Sequence, residues 1–77
     1  MEQRKVTLEL SREQALVFFE WLSKFNATEG RRFEDQAEER VLWDIEAMLE
    51  STLVEPFDPR YEELLAEARA AVRDQEE

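Results

Sequence analysis

The sequence predicts a mainly α-helical domain of the small α+β kind, with a short N-terminal strand followed by three helices and a second short strand at 31–33 left open. Three observations lead there. Apolar residues alternate with polar ones over residues 4–10, the period of a half-buried strand. Three later stretches repeat their apolar residues at helical spacing, and the single glycine and both prolines fall between them. No Gly-, Pro- or Ser-rich linker divides the 77 residues, so one domain is expected over 1–73, ending in a solvated tail at 74–77.

In the expected strand Val6, Leu8 and Leu10 share one face and Lys5, Thr7 and Glu9 the other. It ends at SREQ (11–14), a capping-box pattern in which the Ser11 hydroxyl accepts from the third helical amide and Gln14 reaches back. The first helix runs from there to about Asn26. On a helical wheel Val17, Trp21, Phe25, Phe18, Leu22, Ala15 and Phe19 fill an arc of roughly 200°, wider than an ordinary surface helix shows, and Leu16 lies outside it. The connection that follows turns at Gly30, since glycine takes a positive φ at no steric cost.

Acidic Glu34 and Asp35 suit the positive end of a second helix running to about Leu53. Its stripe, Ala37, Val41, Ile45, Met48 and Thr52 flanked by Leu42, Leu49 and Leu53, spans about 160° and leaves Trp43 to one side. Asp58 and Pro59 then read as N-cap and first residue of a third helix, which carries Tyr61, Leu64, Leu65, Ala68 and Val72 on one side.

Twenty acidic and ten basic side chains give a net charge of −10, and this is divided unevenly: residues 1–33 carry about +1 and residues 34–77 about −11. Such a charge opposes direct binding to nucleic acid or to an anionic membrane. The longest uninterrupted apolar run, residues 15–19, is five residues against the ~20 of a membrane span, and the N-terminus leads into no signal-peptide core, so the cytoplasm is the expected location. Histidine and cysteine are absent, which removes the usual neutral-pH base, the thiol nucleophile and the nitrogen and sulfur metal ligands. A single glycine excludes a phosphate-cradling loop. Glu39, Glu46 and Glu50 share a side of the second helix and offer carboxylate oxygens for a divalent cation, but in so acidic a chain that spacing reads as a solvated face. The expectation is therefore no catalysis, no cofactor and no metal.

Contacts with other proteins remain. A chain this short buries only roughly 60% of its unfolded surface, so the wide apolar arc of the first helix leaves Val17, Trp21 and Phe25 as candidates for an interface with a second copy. Val6 and Leu8, on a strand without a hairpin partner, are candidates for pairing with 31–33, with a two-fold mate or with another protein. Trp43, among Gln36, Glu39, Arg40, Glu46 and Glu50, is either an interaction centre or a ring covered by Arg40. The acid-rich half admits an alternative role, imitation of DNA to inhibit a nucleic-acid-binding protein, although Arg40, Arg60, Arg69 and Arg73 interrupt its rows of carboxylates.

The segments VTLELS (6–11), EDQAEERVLW (34–43) and LVEPF (53–57) together resemble those of small, functionally uncharacterised bacterial proteins with a strand-helix-helix-helix pattern. The resemblance implies a bacterial cytoplasmic protein that acts through contacts; the expectation of a homodimer, with a larger bacterial protein as a further partner, comes from the apolar surplus of the first helix. It carries over no site residue.

Overall fold

A computed structural model describes residues 4–73, and the tail expected at 74–77 lies outside the described residues. Three helices follow one another: α1 (Arg12–Ala27), α2 (Gln36–Thr52) and α3 (Tyr61–Val72), with a 3₁₀ turn at Glu55–Phe57 before α3. Each start has a local cause. The Ser11 hydroxyl accepts from the Gln14 amide at 2.9 Å and the Gln14 side-chain oxygen accepts from the Ser11 amide at 2.9 Å, the capping box that the sequence predicts. Asp35 caps α2 by accepting from the Ala37 amide at 2.8 Å. At the third start the expectation is displaced. Asp58 accepts from the Arg60 amide at 2.7 Å, closing a turn one step early, and Arg60 rather than Asp58 occupies the N-cap of α3.

α1 is the element on which the others rest, since it packs against both α3 and α2. Leu16 and Phe19 of α1 meet Leu65 and Ala68 of α3 and Leu53 beyond α2, and Leu22 is 0% exposed. The buried line through Leu16, Phe19 and Leu22 corrects the wheel: Leu16, outside the predicted arc, is 4% exposed because α3 and the end of α2 approach from that side. The apolar surplus falls on the opposite margin, where Val17 and Phe25 are half-buried and Trp21 is 55% exposed. In contrast, α2 has no buried residue; Leu42, Ile45 and Leu49 are half-buried while Val41 and Met48 are exposed.

The strand expected over 4–10 is not formed. Those residues run without helix or strand, and Val6 and Leu8 are 89% and 80% exposed. A strand needs a neighbouring backbone, and the segment expected to supply it, 31–33, is engaged elsewhere. Arg31 turns back to the carbonyls of Asn26 and Thr28 and to Glu39, and Phe33 meets Phe25 edge-on at 6.2 Å, so no second strand forms there either. Gly30 takes φ +82° and reverses the chain just before this corner.

The result is an open arrangement. The radius of gyration is 14.6 Å, against about 11 Å for a close-packed domain of this length. The accessible surface is 6574 Å², where a folded monomer of 9.2 kDa exposes about 4,900 Å².

Candidate interaction surface

The exposed margin of α1 is a ridge between two shallow grooves. Val17 and Trp21 line both. One groove is completed by Leu10, Gln14, Phe18 and Val72, bringing together the segment before α1, α1 itself and the end of α3. The other is completed by Glu20, Lys24, Phe25, Thr28 and Arg69. Side chains on an α-helix lean toward its N-terminus, so Trp21 and Phe25, four apart, fall on one face and stack: their rings are 5.1 Å apart and 10° from parallel. Phe33 continues the aromatic row at right angles to Phe25, and the Arg31 guanidinium lies 5.5 Å over Phe33. The ridge is thus held in one orientation by its own neighbours.

Below the ridge the polar groups are fixed as well. Tyr61 donates its hydroxyl to Glu20 at 2.6 Å, joining α3 to α1, and Lys24 pairs with the same carboxylate at 3.3 Å. The Tyr61 hydrogen bond, helped by Lys24, holds Glu20 below the usual carboxylate range. Burial and the facing carboxylate push the Tyr61 hydroxyl well above its ordinary value. At the start of α1, Arg12 grips Glu55 with two nitrogens, at 2.5 and 3.1 Å, and that hydrogen bonding lowers the Glu55 carboxyl. This clamp fixes the point from which residues 4–10 leave the helical body.

The other predicted positions are scattered around this ridge. Val6 and Leu8 stand on the exposed segment before α1, whose last apolar residue, Leu10, reaches the first groove. Trp43 lies on α2, 45% exposed, away from both grooves. Arg40 turns to Asp44 at 3.5 Å, leaving Arg31 over Phe33 as the guanidinium–ring contact among the described residues. The three α2 carboxylates weighed for a cation are separately engaged. Glu39 pairs with Arg31 at 2.6 Å, Glu46 accepts from the Asn26 side chain at 2.7 Å, and Glu50 faces solvent. Among the described residues no group of three or more acidic side chains converges in a way that suits a metal ion. Exposed Glu38, Asp44 and Glu50 on α2 and Glu62, Glu63 and Glu67 on α3 form the acidic exterior, and no helix is long and apolar enough to cross a membrane among the described residues.

Two contributors to the ridge surface are harder to see from the chain alone. Val72 ends the apolar stripe of α3, and its place beside Leu10 depends on how α3 docks. Arg69 reads as a helix C-terminal cation, whereas it also forms a wall of the second groove. A further apolar hollow, lined by Phe33, Ala37, Glu38, Val41 and Leu42, lies on the outer side of α2. Compared with known proteins, the chain matches no family model, no curated protein and no solved structure.

Proposed function

We propose that this protein is a non-catalytic interaction module that forms a homodimer through the Val17–Trp21 ridge of α1. The observation that carries the reading is the ridge itself: Trp21, 55% exposed, stacks on Phe25 and stands between two grooves that it lines together with Val17. A standard interface takes about 800 Å² from each partner and centres on exposed aromatic residues of this kind. In a two-fold dimer the same patch is used twice, and a knob beside a groove is self-complementary in the sense this symmetry demands.

Charge favours this face over the outer side of α2. Two molecules of net charge −10 repel, and the cost is least where cations gather. Lys24 and Arg69 border the ridge against the one carboxylate of Glu20, and the residue 1–33 half of the chain is close to neutral, whereas Glu38 borders the hollow on α2 and no cation among the described residues lines that hollow.

Sedimentation equilibrium of the full chain tests the proposal. The expected result is a mass near twice 9.2 kDa at micromolar concentration, a monomer for Trp21→Asp with its helical circular dichroism retained, and an unchanged dimer for Met48→Asp on the outer side of α2. Added salt tightens association by screening the repulsion. A wild-type chain that stays monomeric, or a Trp21→Asp variant that still dimerises, overturns it.

A further inference from the structure

Residues 4–10 project from the capped start of α1 with no hydrogen-bond partner for their backbone among the described residues. Such a segment leaves its amides and carbonyls open to pairing with another backbone. Its side chains alternate between an apolar face, Val6, Leu8 and Leu10, and a polar face, Lys5, Thr7 and Glu9. The order of these residues is self-complementary. When two copies run antiparallel about a two-fold axis at Thr7, Val6 faces Leu8, Lys5 faces Glu9, and both pairs recur on the other side of the axis; beyond them Arg4 falls opposite Leu10, so the matched stretch is 5–9. Moving the axis to Val6 or to Leu8 sets Lys5 against Thr7 or Ser11 and pairs no opposite charges. Placing it between residues sets apolar side chains against polar ones. Within the chain the 31–33 segment is already held by the Arg31 hydrogen bonds and by Phe25.

We propose that residues 5–9 pair with the same residues of a second copy as an antiparallel ribbon centred on Thr7, with reciprocal Lys5–Glu9 ion pairs. The proposal rests on the homodimer reading and deepens it. A bare two-stranded ribbon is marginal in water, so its apolar face needs cover. Leu10, at the end of that face, already lines a groove with Phe18, Trp21 and Val72, which makes ribbon and ridge one continuous surface. The ribbon also gives the inward-facing amides and carbonyls of each strand a partner that the isolated chain does not supply, and leaves the outer edges to solvent.

The chain has no cysteine, so introduced ones report the register cleanly. Facing residues in an antiparallel pair have Cα atoms ~4.5–5.5 Å apart, within disulfide range. Residues on opposite chains that are four positions out of register are ~13 Å further along the strand. Under mild oxidation of the full-length protein, Thr7→Cys is expected to form a covalent dimer. Lys5→Cys and Glu9→Cys each fail alone, and an equimolar mixture of those two cross-links. Reversing one charge, Lys5→Glu or Glu9→Lys, sets like charges opposite each other twice per dimer and weakens dimerisation about tenfold. The double reversal restores it. A dimer in which Thr7→Cys cross-links no faster than Glu9→Cys, or in which the double reversal restores nothing, overturns the ribbon and leaves the ridge dimer standing. A chain monomeric by mass overturns both.

Discussion

Replacing Arg31 with alanine is expected to release α2 while leaving the α1–α3 core in place. The Arg31 guanidinium donates to the carbonyls of Asn26 and Thr28 and to Glu39 of α2, the last two at 2.8 and 2.6 Å. The side chains of Arg31 and Glu39 are 14% and 23% exposed, so the pair is shielded more than an ordinary surface ion pair. Its loss leaves a carboxylate and two carbonyls without their donor. Hydrogen bonds to charged groups are worth about 1.5–3 kcal/mol; with some recovery by water, we take about 2 kcal/mol for the whole substitution. That is a large share of what holds α2, which buries no residue fully and otherwise relies on half-buried Leu42, Ile45 and Leu49 and on Asn26 bonded to Glu46. An opening equilibrium raised by 2 kcal/mol corresponds to about 30-fold faster amide exchange. Hydrogen exchange resolved by segment is the assay: α2 amides accelerate about 30-fold, the slowest amides of α1 and α3 hardly change, and Arg31→Lys, which keeps the charge without the fork, recovers only part of the loss. Equal acceleration in α3, or none in α2, refutes the idea that this corner secures α2 alone.

Three further outcomes follow from the same contacts, each measured at fixed protein concentration because dimerisation shifts apparent stability. Tyr61→Phe removes the hydrogen bond that lowers Glu20, so the Glu20 carboxyl, followed by carbon-detected NMR titration, moves up toward its ordinary range. A depressed carboxylate stabilises the fold above its unfolded pKa and ceases to do so as pH falls through the folded one. The gap in melting temperature between wild type and Tyr61→Phe therefore closes in acid. Leu22→Ala, at the most enclosed side chain, costs about 3 kcal/mol by denaturant titration, a large fraction of the stability of so small a domain. Gly30→Ala costs about 1 kcal/mol by the same measurement; a Cβ there meets no atom within 4 Å, so strain at φ +82° is the whole cause.

How far the sequence can be read depends on whether the cause is local. The cap at Ser11 is satisfied three residues away by Gln14, and it appears where the pattern puts it. The helices of 12, 16 and 17 residues follow apolar spacing in the same way. The width of the α1 arc is visible too, but which part of it faces inward is decided by α3 and Leu53, so Leu16 moves from the excluded side to the core. Val6, Leu8 and Leu10 alternate as a strand does, yet pairing is a property of two backbones, and the residues that would supply the second are held by Arg31 and Phe25. The Arg12–Glu55 clamp, between residues 43 apart, leaves no periodic trace in the chain, and neither does the meeting of Val72 with Leu10.

That α1 finds its buried partners on α3, with α2 lying between them in the chain, bears on how quickly and in what order the molecule folds. Leu16 and Phe19 must meet Leu65 and Ala68 across a loop whose closure costs about 3.4 kcal/mol beyond a constant for ~46 residues. Until that loop closes, α2 has little to dock on. Substitutions at Leu16 or Leu65 are accordingly expected to slow folding, with φ-values of about 0.5 or more, whereas those at Leu42 or Ile45 leave the folding rate near wild type and quicken the release of α2. The rate of core formation is then set by helices 33 residues apart in the chain, while the helix adjacent to α1 docks last and leaves first.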